Sequence, residues 1–397
     1  MRVLLFGTYD TAMHPRVATL AEGLRAHGVD VPECDRPLGL STAARVGILA
    51  KPWRLPLLLL RIIHCWTGLA WAARRFWRGS ERPDAVLVGY LGHFDVHLAR
   101  LLFPRVPIVL DHLVGASDTG RDRGLGGGPR GVLLRLIDSA ALRTADIVLV
   151  DTAEHLAALP DRHRDRGVVL PVGAPHGWFT PDSTTDTSDS HGRPLRVVFF
   201  GLYTPLQGAP VIGAALSRLA GEPVEVTMIG HGQDEAATRA AAGAANTTSA
   251  GSPGLANTDA ERGITWLDWV PAEKLPALVA DHDVCLGIFG TGPKALRVVP
   301  NKVFQGAAAG CAIVTSDTPP QRRMLGAAAV LVPPGDPDAL ADALRGLAGD
   351  RAELRRMRKA AHDLATREFA PEHVVAPLLA NLLGTARSGR RAVPSSR

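Results

Sequence analysis

The chain has 397 residues, enough for two domains of α/β size and too many for one ordinary core. Its 46% hydrophobic and 21% charged residues exclude a disordered or fibrous chain. The net charge of +5 comes from basic residues interleaved with acids, which argues against a dedicated nucleic-acid binder, and Cys34, Cys65, Cys285 and Cys311 lack the spacing of a zinc site or disulfide scaffold.

A predicted strand at residues 2–6 opens the chain without the charged, apolar and cleavage regions of a signal peptide, which with the scattered cysteines favours a reducing cytoplasm. Strand-type runs at 3–6, 85–89, 108–110 and 147–150 alternate with helix-type runs at 16–26, 96–102 and 133–143, the pattern of a parallel doubly wound sheet. Residues 53–77 (WRLPLLLLRIIHCWTGLAWAARRFW) depart from that alternation, and three arrangements compete. A bilayer span needs about 20 apolar residues; 55–73 nearly supplies them, but Arg61 and His64 lie inside. An interfacial helix suits the mixture of Trp with Arg54, Arg61, Arg74, Arg75 and Arg78, and would put a peripheral membrane contact at 53–78, at the inner face of the plasma membrane. The third arrangement is a helix packed on the sheet, its Trp bodies covering their neighbours.

Residues 182–194 (DSTTDTSDSHGRP) are polar and punctuated by Gly and Pro, as an interdomain linker is. A second alternating series starts at 195–200. Two Rossmann-like domains are therefore expected, at 1–181 and 195–367, followed by a last helix at 368–385 and a disordered basic tail at 386–397. Residues 240–263 hold scarcely a large apolar side chain, and the middle of this segment reads as a disordered surface insertion without chemistry.

The strongest signal lies at 291–319 (TGPKALRVVPNKVFQGAAAGCAIVTSDTP). A short apolar strand at 284–289 leads into it, and Pro300-Asn301-Lys302 opens a helix whose first turn leaves N–H groups free, a natural anion site. Lys294, Arg297 and Lys302 add mobile cations on the same side, and the small residues at 307–310 let the helix approach the sheet before a strand at 312–316. Diphosphate is the natural guest.

This order of strand, PNKVF helix, small-residue turn, strand and Asp317-Thr318-Pro319-Pro320 resembles the donor-binding half of GT-B glycosyltransferases of the retaining GT4 kind, in the subgroup with a PNK motif. Phe199-Phe200-Gly201, Met228-Ile229-Gly230-His231-Gly232 and Val330-Leu331-Val332-Pro333-Pro334-Gly335-Asp336 extend the resemblance. It implies an α/β GT-B fold of two Rossmann-like doubly wound domains facing across a cleft, the first on the acceptor side and the second holding the donor. It also implies a last helix that crosses back to the first domain. The activity implied is transfer of a sugar from a nucleotide diphosphate sugar to a glycan, lipid-linked or small-molecule acceptor, with retention and with neither cofactor nor metal bound.

The family typically carries two glutamates eight positions apart in the donor half. Here Arg297 stands where the sugar-contacting glutamate is expected and Gln305 where the ribose glutamate is expected. Gln305 can still exchange hydrogen bonds with a hydroxyl, whereas Arg297 suits a phosphate or a carboxylate, or is a solvated surface charge. In GLYTPLQG (201–208), Leu202 and Gln207 replace the customary Arg and Lys, so Lys294, Arg297 and Lys302 become the substitutes for diphosphate. The resemblance sets the nucleobase near Trp269 and Val270, with Gly230 beside it.

In the first domain, Asp111-His112 ends a strand where α/β folds bind ligands, and the resemblance makes His112 the residue at the donor sugar. Asp111 would orient it or bind an acceptor hydroxyl, as would Asp118; the plain reading of His112 is a loop cap. The turn at 7–16 occupies the place of the family's glycine-rich loop, which puts forward Asp10, His14 and Arg16 as acceptor or phosphate contacts against an ordinary helix start at Pro15. His93 and His97 read as helix-capping or acceptor contacts rather than metal ligands. Asp281-His282-Asp283 and Asp336-Pro337-Asp338 have the D-x-D form of metal-dependent transferases but the wrong context, one before a strand and the other at a helix N-cap. A sugar-nucleotide epimerase of the same fold and a noncatalytic membrane-surface relative are the alternatives.

Overall fold

A computed structural model of the chain describes residues 1–10, 15–40, 55–77, 79–90, 92–113, 115–118, 127–179, 192–243, 257–259 and 263–391. They form two compact units, Met1–Pro171 with Pro371–Arg397, and Val172–Ala370. In chain order the first unit holds β1 (Val3–Gly7), α1 (Pro15–Ala26), β2 (Glu33–Asp35), α2 (Leu55–Ala73), β3 (Ala85–Val88), α3 (Asp95–Leu102), β4 (Ile108–Asp111), α4 (Gly128–Thr144), β5 (Ile147–Val150), α5 (Ala153–Ala158), α6 (Asp161–Arg164) and β6 (Gly167–Val169). The second holds β7 (Leu195–Phe200), α7 (Ala209–Arg218), β8 (Val224–Ile229), α8 (Glu235–Ala241), β9 (Asn257–Asp259), β10 (Ile264–Leu267), α9 (Leu275–Ala280), β11 (Val284–Leu286), α10 (Asn301–Ala308), β12 (Ala312–Ser316), α11 (Pro319–Leu325), β13 (Ala329–Val332), α12 (Pro337–Gly349) and α13 (Arg351–Leu364). The chain then returns to the first unit as α14 (Pro371–Val374) and α15 (Ala376–Arg391).

The first sheet has six strands, all parallel, in the order β2-β1-β3-β4-β5-β6. β1, β3, β4 and β5 are buried along their whole length, as near-continuous Val, Leu and Ile runs must be when helices cover both faces. Val3 and Leu5 face α1, α14 and α15 through Val17, Leu20, Val374 and Leu378. Leu4 and Phe6 face α2, α3 and α4 through Leu69, Val96, Ala99 and Ala141. The chain runs from β1 outward to β2 and then back to β3, so the topological switch point lies between the carboxyl ends of β1 and β3.

α2 packs on the sheet through one face and leaves another exposed. Pro56–Phe76 is long and apolar enough to cross a membrane by length and composition. Yet Cys65, Leu69, Ala73 and Phe76 are buried, and Trp66 Nε1 donates to Asp95 Oδ1 at 2.9 Å, so one face is part of the domain core. Leu57, Leu59, Leu60, Ile63 and Trp71 on the remaining face are exposed. Residues 53, 54 and 78 at its margins lie outside the described residues.

The second sheet has seven strands in the order β13-β12-β11-β7-β8-β10-β9, parallel except for β9, which runs antiparallel to β10. β9 falls inside the segment read as a disordered insertion. A short polar strand needs only one partner at a sheet edge, and Asn257–Asp259 finds it in Ile264–Trp266. Residues 244–256 and 260–262 lie outside the described residues, as do 180–191, which take in most of the expected linker. At the linker's far end Arg193 is ion-paired with Asp283 and belongs to the second unit. α15 extends to Arg391, beyond the expected end of the last helix, and 392–397 lie outside the described residues. The switch point of this sheet lies between β7 and β11.

Candidate functional site

The loops after β7, β8 and β11 meet at that switch point because glycine lets their backbones touch. A Cβ at Gly230, whose φ is +125°, would lie 2.0 Å from the Gly201 carbonyl oxygen. One at Gly208, whose φ is +64°, would lie 2.4 Å from the Gly290 amide nitrogen. Neither position accepts another residue without displacing main chain. The result is a backbone-lined cradle at the carboxyl ends of the strands.

α10 opens on Pro300, in extended conformation at the N-cap, and no side chain caps its first turn. The amides of Asn301 and Lys302 are thus left for an external acceptor, as the PNK sequence suggested. Lys302 itself is not the mobile cation expected. Its side chain is 4% exposed, with Nζ donating to Gln207 Oε1 at 2.6 Å and lying 3.5 Å from the centroid of the Phe199 ring. The same Nζ would stand 3.2 Å from a Cβ at Gly201, so the empty face of that glycine is what admits it. Burial pushes its pKa down to about 7. The positive charge missing from position 207 is therefore supplied by a helix residue reaching the same loop.

Asn301 is exposed and Gln305 buried on the same helix. Lys294 sits at the N-cap and Arg297 at the end of a short 3₁₀ turn, Ala295–Arg297, and both are half-buried; Arg297 Nε donates back to the Pro293 carbonyl at 3.0 Å. Leu202 is exposed. Pairing of β8 with β10, Ile229 opposite Leu267, sets Trp269 and Val270 just beyond the Gly230 turn, with Trp269 exposed. Sequence reasoning missed two aromatic supports, Phe199 beneath Lys302 and Trp178 stacked on Phe200 at 5.6 Å. Phe199 and Phe200 sit at the end of β7, a position that could have signalled them, whereas Trp178 lies in a short 3₁₀ turn and carries no such signal.

In the first unit the carboxyl ends of β4 and β5 gather histidines and carboxylates. His112 follows β4, its N–H bonded to the Leu149 carbonyl. As a residue it is half-buried, yet Nδ1 is enclosed without a hydrogen-bond partner. Burial first, then the neighbouring His93, push its pKa down to about 4, so the imidazole is neutral at pH 7. The His93 ring stands edge-on to it, with centroids 5.4 Å apart. His93 Nε2 lies 3.1 Å from Asp138 Oδ1 but is misaligned for a hydrogen bond. Asp138 also accepts from the amides of Ala116 and Ser117; burial opposes its ionisation, but His93 and Ser117 outweigh it and hold the carboxyl at about 2. His97 turns elsewhere, to Thr144. A second imidazole–carboxylate pair, His155 with Asp151, lies at the end of β5.

Asp111 and Arg16 hold each other, with Asp111 Oδ2 and Arg16 Nη2 enclosed without a hydrogen-bond partner among the described residues. Arg16 Nε donates to Asp111 Oδ1 at 2.8 Å and its Nη1 to the carbonyls of Leu170 and Pro171, with both side chains almost wholly buried. Burial raises the Asp111 pKa and Arg16 opposes the rise. The pair joins the first turn of α1 to the last residue of β4, an interior strand of the sheet. Asp10 and Asp118 are half-buried, and His14 lies outside the described residues. Of the two D-x-D sequences, Asp283 accepts from both Arg193 and the Arg196 amide, and Asp336 caps α12. Among the described residues, no three His, Cys, Asp or Glu side chains gather as a metal site.

Residues 194–350 match the family model for Glycosyl transferases group 1. These residues, within the second unit, are a domain of that family, and the chain is a glycosyltransferase. No curated protein matches it by sequence. Solved GT-B glycosyltransferases share its fold along nearly the whole length. Sucrose-phosphate synthase from Thermosynechococcus elongatus superposes with a TM-score of 0.64 at 16% identity, covering 100% of this chain and 99% of that one. The α,α-trehalose-phosphate synthase (UDP-forming) from Burkholderia vietnamiensis gives 0.64 at 14%, covering 98% of each. Anabaena HepE, solved in complex with UDP-glucose, gives 0.61 at 14%, covering 98% and 99%. The glycosyltransferase thus has the GT-B fold, two Rossmann-like domains, and the family-matched residues 194–350 contain the cradle built from β7, β8, β11 and α10.

Proposed function

We propose that this glycosyltransferase takes its sugar from a nucleoside diphosphate donor, with UDP as the carrier, and passes it to an acceptor with retention of configuration, in the manner of the GT4 group. One observation carries the donor half of this reading: Lys302, in the uncapped first turn of α10, rests its Nζ on Gln207 and the open face of Gly201. As the glycosidic bond to the diphosphate breaks, negative charge gathers on the leaving oxygens. The Asn301 and Lys302 amides and the Lys302 ammonium are fixed before that happens, so they stabilise the charge without reorganising. Gln305 is assigned to the ribose hydroxyls, Trp269 and Val270 to the base, and Lys294 and Arg297 to the outer phosphate oxygens or to an acidic group on the sugar.

His112 is assigned to the reacting sugar, as the family resemblance implies; a neutral imidazole offers it hydrogen bonds rather than charge. Asp118 and Asp10 are retained as acceptor contacts, while His93 serves His112. A cytoplasmic location is proposed with this reading, supported by four free, buried cysteine thiols. The test is a panel of UDP-, GDP-, ADP- and dTDP-sugars, read by thermal shift and nucleotide release in EDTA. Stabilisation by UDP and release of UDP from one UDP-sugar is the expected result. No stabilisation by any nucleotide would sink the donor assignment, and an absolute need for a divalent cation would sink the metal-free mechanism.

A further inference from the structure

We propose that the outward face of α2, α3 and α4 seats the chain on an anionic lipid bilayer. The three helices lie side by side, α2 on α3 and α3 on α4, and all contribute to the same core cluster on one side of the first sheet, so their free faces point the same way. That shared face is unusually apolar for a surface: Leu59, Leu60 and Trp71 on α2, Leu101 on α3, and Leu133 and Leu136 on α4 are all exposed, Leu101 at 76% and Trp71 at 70%. The rotation of α2 is fixed from within, since Trp66 is tied to Asp95, which also accepts from the Thr8 amide and hydroxyl.

Charge decides the occupant. Arg61, Arg74, Arg130, Arg135 and Arg143 are exposed on α2, its continuation and α4, whereas the acids of these helices, Asp95 and Asp138, are buried at 3% and 8%. Every accessible charge on the three helices is therefore basic. Apolar side chains flanked by arginines match the boundary between acyl chains and anionic headgroups. A second copy of the chain fits poorly, because pairing two such faces would bring like charges together. The inference is independent of which sugar or acceptor the enzyme uses.

The test is co-sedimentation of the full chain with vesicles of phosphatidylcholine alone or mixed with phosphatidylglycerol, at low and high salt. Partition onto the anionic vesicles about tenfold above the neutral ones, weakened by salt, is expected. Leu59→Glu with Trp71→Glu, two exposed positions, should abolish binding without lowering the melting temperature. Arg61→Glu with Arg135→Glu should remove the preference for anionic lipid. Wild-type chain that ignores anionic vesicles, or variants that bind as the wild type does, would overturn the proposal. So would a dimer in sedimentation velocity that the Leu59→Glu, Trp71→Glu pair dissolves while vesicle binding is absent.

Discussion

Replacing Lys302 with methionine separates what this residue does for the fold from what it does for a ligand. Holding a buried lysine at a pKa of about 7, against an ordinary 10.5, corresponds to about 5 kcal/mol against the charged form. The Phe199 face at 3.5 Å and Gln207 Oε1 at 2.6 Å both favour that form and keep the penalty from growing larger. The sign follows from the protons held. Between pH 7 and 10.5 the unfolded chain keeps a proton that the folded chain has lost, so stability rises with pH across that window, and below pH 7 the penalty is present in full. Lys302→Met should therefore raise the apo melting temperature of the second unit at pH 6 by about 10 °C, with the gain shrinking as pH climbs above 7. A diphosphate arriving beside Nζ restores the proton. UDP binding to the wild type at pH 8 should then take up close to one proton, measurable by titration calorimetry in two buffers of different ionisation enthalpy, and should weaken by up to about tenfold per pH unit above neutrality. The variant should lose both the uptake and most of the affinity. A variant that binds UDP as well as the wild type, with no proton uptake in either, would refute the assignment of Lys302 to the diphosphate.

Other substitutions test the remaining parts. Gly230→Ala drives a methyl to 2.0 Å from the Gly201 carbonyl at a φ of +125°, and should cost about 3 kcal/mol or more in urea denaturation. Asp111→Leu or Arg16→Met alone should destabilise the first unit by about 3–5 kcal/mol, and the two together by less than either alone, the mark of a structural ion pair; equal stability with lost turnover would return Asp111 to catalysis. Gln305→Leu keeps a buried side chain of similar size, so it should weaken UDP binding by about tenfold with little change in apo melting temperature; an equal loss of melting temperature without ligand would make Gln305 structural. His112 stays neutral to about pH 4 while an unfolded histidine protonates near 6.5, so the native state loses stability as pH falls through that window. His112→Gln should flatten that part of the acid-denaturation profile, and an unchanged profile would mean that the ring is not enclosed.

What could be read ahead of the structure follows from how each signal is encoded. The buried strands were legible because a parallel strand covered on both faces is a run of Val, Ile and Leu, as in LRVVFF at β7 and AIVTS at β12. The start of α10 was legible because Pro at a helix entrance is a local backbone constraint. β9 was not legible, since an Asn-Thr-Asp strand exists only by virtue of its partner in β10. α2 was ambiguous for a physical reason: it is apolar on both sides, and periodicity cannot reveal which of two apolar faces meets the core when Trp66 points in and Trp71 points out. Arg16 and Asp111 looked like ligand contacts because charge at a strand or helix end is what binding sites use; 95 residues of separation hid the fact that they face each other.

The same long-range geometry explains why the missing basic residue at position 207 does not leave the cradle without a cation. A lysine on the loop would be held only by its own flexible stem. Lys302 comes instead from a helix packed against the sheet, crosses the open face of Gly201, and ends on the residue that replaced the usual lysine. Its ammonium is better positioned, yet half-neutral near pH 7 until an anion arrives. His112 in the first unit is also a titratable side chain at the carboxyl end of a sheet, kept neutral by burial. At both positions burial favours the neutral form, and for Lys302 the charge appears when a diphosphate supplies its counterpart. Affinity for UDP is therefore predicted to depend on proton activity, whereas enzymes with a solvent-exposed loop lysine at this position would bind with little dependence on pH near neutrality.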